Sequence, residues 1–100
     1  MVEKLTDAER KTLLAELSNW QLVEGRDAIQ RSFTFKDFKQ AWAFMTQTAL
    51  AAEKLDHHPE WSNVYNRVEI VLTTHSCDGL SPLDQKLARQ IDAFAAALHA

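Results

Sequence analysis

Apolar residues recur along this chain with two periods, and the period changes where glycine and proline fall. Leu13, Leu14 and Leu17 have the spacing of a helix with one buried stripe. Thr6-Asp7-Ala8-Glu9 opens that helix as a capping box, in which side-chain oxygens satisfy free N–H groups of the first turn. Trp20 to Val23 then reads as a short strand and Glu24-Gly25-Arg26-Asp27 as a turn. Ala28 to Phe35 alternates, with Ile29, Phe33 and Phe35 on one face and Gln30, Ser32 and Thr34 on the other, which predicts a β-hairpin. Asp37 caps a long helix that runs to about Leu55, and 3/4 spacing predicts Phe38, Ala41, Trp42, Met45, Ala49 and Ala52 as its buried face. Pro59 disfavours helix at His58, so His57-His58-Pro59 is a loop.

Trp61 to Tyr65 and Val68 to Thr74 form a second predicted hairpin around Asn66-Arg67. Val68, Ile70 and Leu72 face one way in it, and Glu69, Val71, Thr73 and His75 face the other. Ser81-Pro82-Leu83-Asp84 opens the last helix, whose apolar stripe is Leu83, Leu87, Ile91, Phe94 and Leu98. The order α-β-β-α-β-β-α predicts an α+β fold: a four-stranded antiparallel sheet with helices packed on one face.

Composition narrows the function classes. One hundred residues, 46% hydrophobic with 2 Gly and 2 Pro, make one folded domain spanning 1–100 rather than a disordered or low-complexity chain. A chain of this length buries only about two-thirds of its unfolded surface, so self-association would add burial. A net charge of −3 argues against direct nucleic-acid binding, which needs a basic patch. Cys77 is the sole cysteine, which excludes an intrachain disulfide and suits a reducing compartment. The first ten residues lack an apolar signal core, and the longest apolar run, Ala93 to Leu98, is too short to cross a bilayer. A soluble, cytoplasmic protein with no membrane partner is expected.

The histidines are the unusual feature. His57 and His58 follow the long helix, and His75 ends a strand. Glu53 lies one helical turn before His57 and can orient its imidazole, Asp56 is adjacent, and Asp84 lies a short loop beyond His75. Imidazoles beside carboxylates exchange protons near neutral pH. Each of these residues also has a plainer reading. Adjacent loop histidines are often merely solvated, Asp84 is explained as a capping carboxylate, and Glu53 as an exposed helix residue. His99 in the C-terminal tail is read as incidental. The spacing matches no zinc motif, so no metal is expected, and Cys77 lacks the surroundings of a thiol nucleophile. Trp61 fits either a pocket wall for a flat heterocycle or ordinary sheet packing.

These residues in this order resemble the pterin-4a-carbinolamine dehydratase family. The resemblance is carried by Glu53-Lys54-Leu55-Asp56-His57-His58-Pro59-Glu60-Trp61, Asn63-Val64-Tyr65-Asn66, Thr73-Thr74-His75, and Gly79-Leu80-Ser81 with Asp84. Upstream, Glu24-Gly25-Arg26-Asp27-Ala28-Ile29, Phe35-Lys36-Asp37-Phe38 and Phe44-Met45-Thr46 belong to it too. It implies a hydro-lyase that dehydrates 4a-hydroxytetrahydropterins, such as 4a-hydroxytetrahydrobiopterin, to quinonoid dihydropterin. That reaction recycles the product of aromatic amino acid hydroxylases, as in phenylalanine hydroxylation, without cofactor or metal. Carried over by position, His57 and His75 are the acid/base residues, His58 mainly binds substrate, and Glu53 and Asp84 are their carboxylate partners. Asp56, His57, His58, Thr73, Thr74, His75 and Ser76 would line the pterin pocket. The resemblance further implies homodimers by sheet extension or homotetramers by helix packing. In an animal protein it also implies a nuclear role as dimerisation cofactor of a hepatocyte nuclear transcription factor.

Overall fold

The computed structural model describes residues 2–100; Met1, the first residue of the expected domain, lies outside them. Helix α1 spans Asp7–Glu16, followed by strands β1 (Gln21–Leu22) and β2 (Ile29–Thr34). Helix α2 spans Phe38–Leu55, strands β3 and β4 span Glu60–Val64 and Arg67–Leu72, and a 3₁₀ turn at His75–Cys77 leads to helix α3, Pro82–Ala97. This is the predicted α+β order. The sheet is antiparallel throughout, ordered β1-β2-β4-β3, so the two hairpins join through β2 and β4.

Local chemistry places the boundaries. Glu9 N–H donates to Thr6 Oγ1 at 3.1 Å and Thr6 N–H donates back to Glu9 Oε1 at 2.9 Å, which completes the first capping box. Asp37 Oδ1 accepts from Gln40 N–H at 2.9 Å at the start of α2. At the other end Asp56 takes a left-handed conformation, φ 51, and His57 N–H reaches back to Ala52 O at 3.0 Å. This closure reverses the chain after the helix.

The inner face of the sheet carries Ile29, Phe33, Val68, Ile70 and Leu72, all buried beneath the helices. Phe44 of α2 packs on Phe33 and Phe35 with centroids 4.9 and 4.8 Å away. Trp20 is buried as well, and its Nε1–H donates to Asp92 Oδ1 of α3 at 2.9 Å.

Four expectations need correction. The buried face of α2 is Ala41, Phe44, Thr48 and Ala52, with Met45 half-buried, whereas Phe38, Trp42 and Ala49 are exposed. The helix carries two apolar stripes, and the one that brings Phe44 onto the aromatic cluster of β2 faces the core. On α3 the buried side is likewise rotated onto Asp84, Leu87, Ala88, Ile91 and Ala95, leaving Leu83, Phe94 and Leu98 half-buried. The second hairpin turns at Tyr65-Asn66, with Tyr65 at φ 50, rather than at Asn66-Arg67. Asn66 instead ties this turn to the end of β2, since its Nδ2 donates to Phe35 O at 2.9 Å. Finally, β4 stops at Leu72, so His75 begins a 3₁₀ turn instead of ending a strand.

Candidate active site

The antiparallel register brings three joints to one end of the sheet. Ile29 pairs with Leu72 and Glu60 with Val71, so the β1–β2 turn, the end of β4 and the start of β3 are neighbours. The reversal after α2 and the start of α3 meet them there. Asp27 fastens this end: its carboxylate accepts the Arg10 fork at 2.9 and 3.0 Å and Leu80 N–H at 3.2 Å, while Thr73 Oγ1 donates to its backbone carbonyl. Burial pushes the Asp27 carboxyl up, but the Arg10 and Leu80 hydrogen bonds and the nearby charges of Arg10 and Lys4 hold it below the ordinary value. A Cβ on Gly79 would run into Asp27 Oδ2 and the Lys4 side chain, so a larger residue here would have to displace the carboxylate that Arg10 and Leu80 hold.

His57 is almost fully buried, and its Nε2 meets Asp84 Oδ1 at 2.6 Å. Asp84 is wholly buried. Its Oδ2 accepts from Ser81 N–H at 2.9 Å and from Thr74 Oγ1–H at 2.7 Å. Thr74 has a single hydroxyl proton and spends it on Asp84, so Ser81 Oγ–H is the donor in the 2.6 Å bond between the two hydroxyls. A carboxylate with two donors on one oxygen receives its third, the imidazole N–H, on the other. Asp84 is therefore both the helix cap and the partner of an imidazole, which unites two readings that sequence alone left apart.

His58 and His75 make similar pairs in the open. His58 Nε2 lies 2.8 Å from Glu53 Oε1, and His75 Nε2 lies 3.0 Å from Glu60 Oε2. Glu53 and Asp84 are both partners of imidazoles as expected, but Glu53 serves His58 rather than His57, Asp84 serves His57, and the partner of His75 is Glu60, which was missed. Glu60 is an ion-pair hub, since Arg26 donates to both of its oxygens at 2.9 Å. Arg26 first and His75 second hold the Glu60 carboxyl at about 2, against an ordinary 4.5. A signal for Glu60 was present in the sequence: it lies two residues after His58, at the head of a strand.

Asp56, His57, His58, Thr73, Thr74, His75 and Ser76 line one cleft of about 350 Å³, together with Pro59, Glu60 and Leu83. That volume suits a small heterocycle. Neither Glu53 nor Asp84 lines it: Asp84 is buried beneath His57, and Glu53 holds His58 from the exposed side. A second polar cleft, about 360 Å³, adjoins at Thr73 and His75. A larger concavity, about 500 Å³, lies over the outer sheet face, and its Asn19, Gln21, Gln30 and Ser32 bring no imidazole. Trp61 is half-buried against the core and does not line the histidine cleft, so it is a packing residue. Among the described residues no three His, Cys, Asp or Glu side chains converge as metal ligands, and no helix is long and apolar enough to cross a membrane.

Acid should loosen this end of the sheet first. The Glu60 carboxyl lies lower in the folded chain than in the unfolded one, so its ion pair adds stability above 4.5 that disappears as pH falls toward about 2. Denaturant unfolding between about pH 5 and pH 2 should therefore lose stability more steeply for the wild type than for E60Q. Salt should narrow the gap, because the pair is solvent-exposed. Parallel curves would show that the pair adds nothing.

Comparison with known proteins identifies the family of the chain. The family model described as pterin 4 alpha carbinolamine dehydratase matches residues 3–94. A relative from Novosphingobium aromaticivorans is 61% identical over 93 residues, covering 93% of this chain and 97% of its own, and its provisional name is pterin-4-alpha-carbinolamine dehydratase. A Burkholderia multivorans relative with the same provisional name is 57% identical over 96 residues, 96% of this chain and 94% of its own. Among solved structures, a transcriptional coactivator/pterin dehydratase from Brucella melitensis superimposes with a TM-score of 0.91 at 56% identity, covering 93% of this chain and 99% of that one. With the family model spanning nearly the whole sequence and these relatives matched almost end to end, the chain belongs to the pterin-4a-carbinolamine dehydratase family.

Proposed function

We propose that this protein dehydrates 4a-hydroxytetrahydropterins, 4a-hydroxytetrahydrobiopterin among them, to the quinonoid dihydropterin and water, by histidine acid/base catalysis. The carrying observation is the cleft itself, in which each of three imidazoles is held through Nε2 by its own carboxylate. In the reaction the C4a–O bond breaks, the departing oxygen takes a proton to leave as water, and N5 gives up its proton as the C4a=N5 double bond forms. One imidazolium and one neutral imidazole meet both needs near neutral pH, and the proton lost from N5 restores the pair. His57 and His75 fill these roles, and His58 binds the ring beside them. Asp56, Thr73, Thr74 and Ser76 supply polar groups for its amide edge. The physiological setting is the recycling of tetrahydropterin behind an aromatic amino acid hydroxylase, in the cytoplasm.

The test is direct. Freshly generated 4a-hydroxytetrahydropterin mixed with the protein should lose its carbinolamine absorbance faster than in buffer. Decay at the buffer rate would overturn the reading.

The same reading includes self-association. Phe38, Trp42 and Leu50 leave a face of α2 apolar and exposed, and a groove of about 200 Å³ runs between this face and Trp61. A second copy covering that face would supply burial that a chain of this length lacks. Sedimentation should give a multiple of the chain mass for the wild type and a smaller species for W42E, with turnover per chain preserved. A monomeric wild type would refute it. The Brucella melitensis structure, titled a coactivator as well as a dehydratase, favours a second reading in which a transcription factor docks on the same face.

A further inference from the structure

Arg26, in the turn between β1 and β2, reaches across the end of β4 to Glu60, the first residue of β3. Its Nη1 donates to Oε1 and its Nη2 to Oε2, each at 2.9 Å. The second oxygen is also the one that meets His75 Nε2. Three segments far apart in sequence thus converge on one carboxylate at the junction of the two polar clefts.

We propose that Glu60, gripped by Arg26, is a positioning residue for the dehydration, locking His75 with its Nε2 proton on the carboxylate so that Nδ1 is the nitrogen offered to substrate. The proposal rests on the dehydratase reading and names residues that the resemblance did not assign to the site. A guanidinium only donates, and here it takes both carboxylate oxygens in a two-pronged grip. Glu60 stays ionised at any pH suited to an assay, so it only accepts. The arrangement that satisfies such a group is an imidazole N–H pointing at it, and whenever the ring is neutral its lone pair is then on Nδ1.

The His75 side chain is 78% exposed and has no packing of its own to fix it. Released from Glu60, it would move among rotamers and tautomers. The buried site solves the same problem by another route: Thr74 and Ser81 hold Asp84, and Asp84 holds His57 by the same ring nitrogen. Arg26 is the exposed counterpart of that polar shell.

The experiment combines spectra with turnover. Protein labelled with ¹⁵N-histidine is examined at a pH above which the ring signals no longer move, so that the tautomer alone is read. The His75 signals are identified by their loss in H75A. Wild-type His75 should be more one-sidedly Nε2–H than histidine free in solution, and E60Q should relax it toward the free value. R26Q should move it part of the way, and so should R26K, because an ammonium cannot grip both oxygens. With a 4a-hydroxytetrahydropterin as substrate, E60Q should lower kcat on the order of tenfold through misplacement of the ring. KM should stay within about twofold, and R26Q should add nothing further in the E60Q background.

Unchanged His75 signals in E60Q would overturn the proposal even if turnover fell. Shifted signals with an unchanged kcat would overturn it as well. Absence of turnover in the wild type would remove the dehydratase reading and the reaction role with it, while the spectra would still decide whether Glu60 holds the ring.

Discussion

Replacing His75 by alanine should cost about 10²–10⁴ in kcat, the range in which a positioned general acid or base contributes, and should leave stability nearly unchanged. The side chain is largely exposed and its one strong contact, to Glu60, is on the surface, so its removal opens no cavity in the core. His57→Gln should cause a comparable loss of kcat by a different route. His57 is buried, and glutamine keeps an N–H for Asp84 but has no group that exchanges a proton near neutral pH. Added imidazole separates the two. It should restore part of the activity of H75A, whose site opens to solvent, and none of that of H57Q, whose place remains filled. If either variant kept kcat within about threefold of the wild type while still binding a pterin product, that histidine would have no part in the proton transfers. Rapid mixing of the carbinolamine with each variant gives the rates, and thermal unfolding run beside it guards against reading a folding defect as a catalytic one.

The fold was legible because its punctuation is chemical and local. Thr6 with Glu9, Asp37, and Ser81 with Asp84 cap their helices through contacts within four residues, and those contacts form as the sequence predicts. The pairing of histidines with carboxylates was less legible, for a reason seen at Asp56. An (i, i+4) contact between Glu53 and His57 requires the helix to continue between them. It stops at Leu55, and the left-handed Asp56 reverses the chain, sending His57 inward to Asp84 and His58 back over Glu53. Glu60 was harder to find because its partners, Arg26 and His75, are 34 and 15 residues away, and only the register of β2, β4 and β3 brings them together. The face of α2 shows the limit of periodicity from another side. Two apolar stripes run along one helix, and only the Phe33–Phe35–Phe44 cluster decides which of them turns inward.

Asp84 is where fold and chemistry are hardest to separate, and two substitutions should separate them. Asp84→Ala removes at once the acceptor of a helix-capping N–H, a hydroxyl and an imidazole N–H, all in a place that water does not reach. Each orphaned buried donor costs about 1–3 kcal/mol, so losing the acceptor of three of them should cost about 3–5 kcal/mol. In a chain of this length that lowers the unfolding temperature on the order of 15–30 °C. Asp84→Asn keeps the volume and one acceptor. Its oxygen can still serve Ser81 N–H and Thr74, which turns its NH₂ toward His57 Nε2. That nitrogen must then accept, the ring proton moves to Nδ1, and the face of the imidazole offered to substrate can no longer take a proton. An asparagine in place of the carboxylate behind a catalytic histidine costs about 10⁴ in kcat for this reason, and a loss of that order is expected here with most of the stability retained. Denaturant unfolding and single-turnover kinetics on the two variants read the two effects separately. A D84N protein that turned over within about threefold of the wild type would show that Asp84 acts through the fold alone, as the cap of its helix.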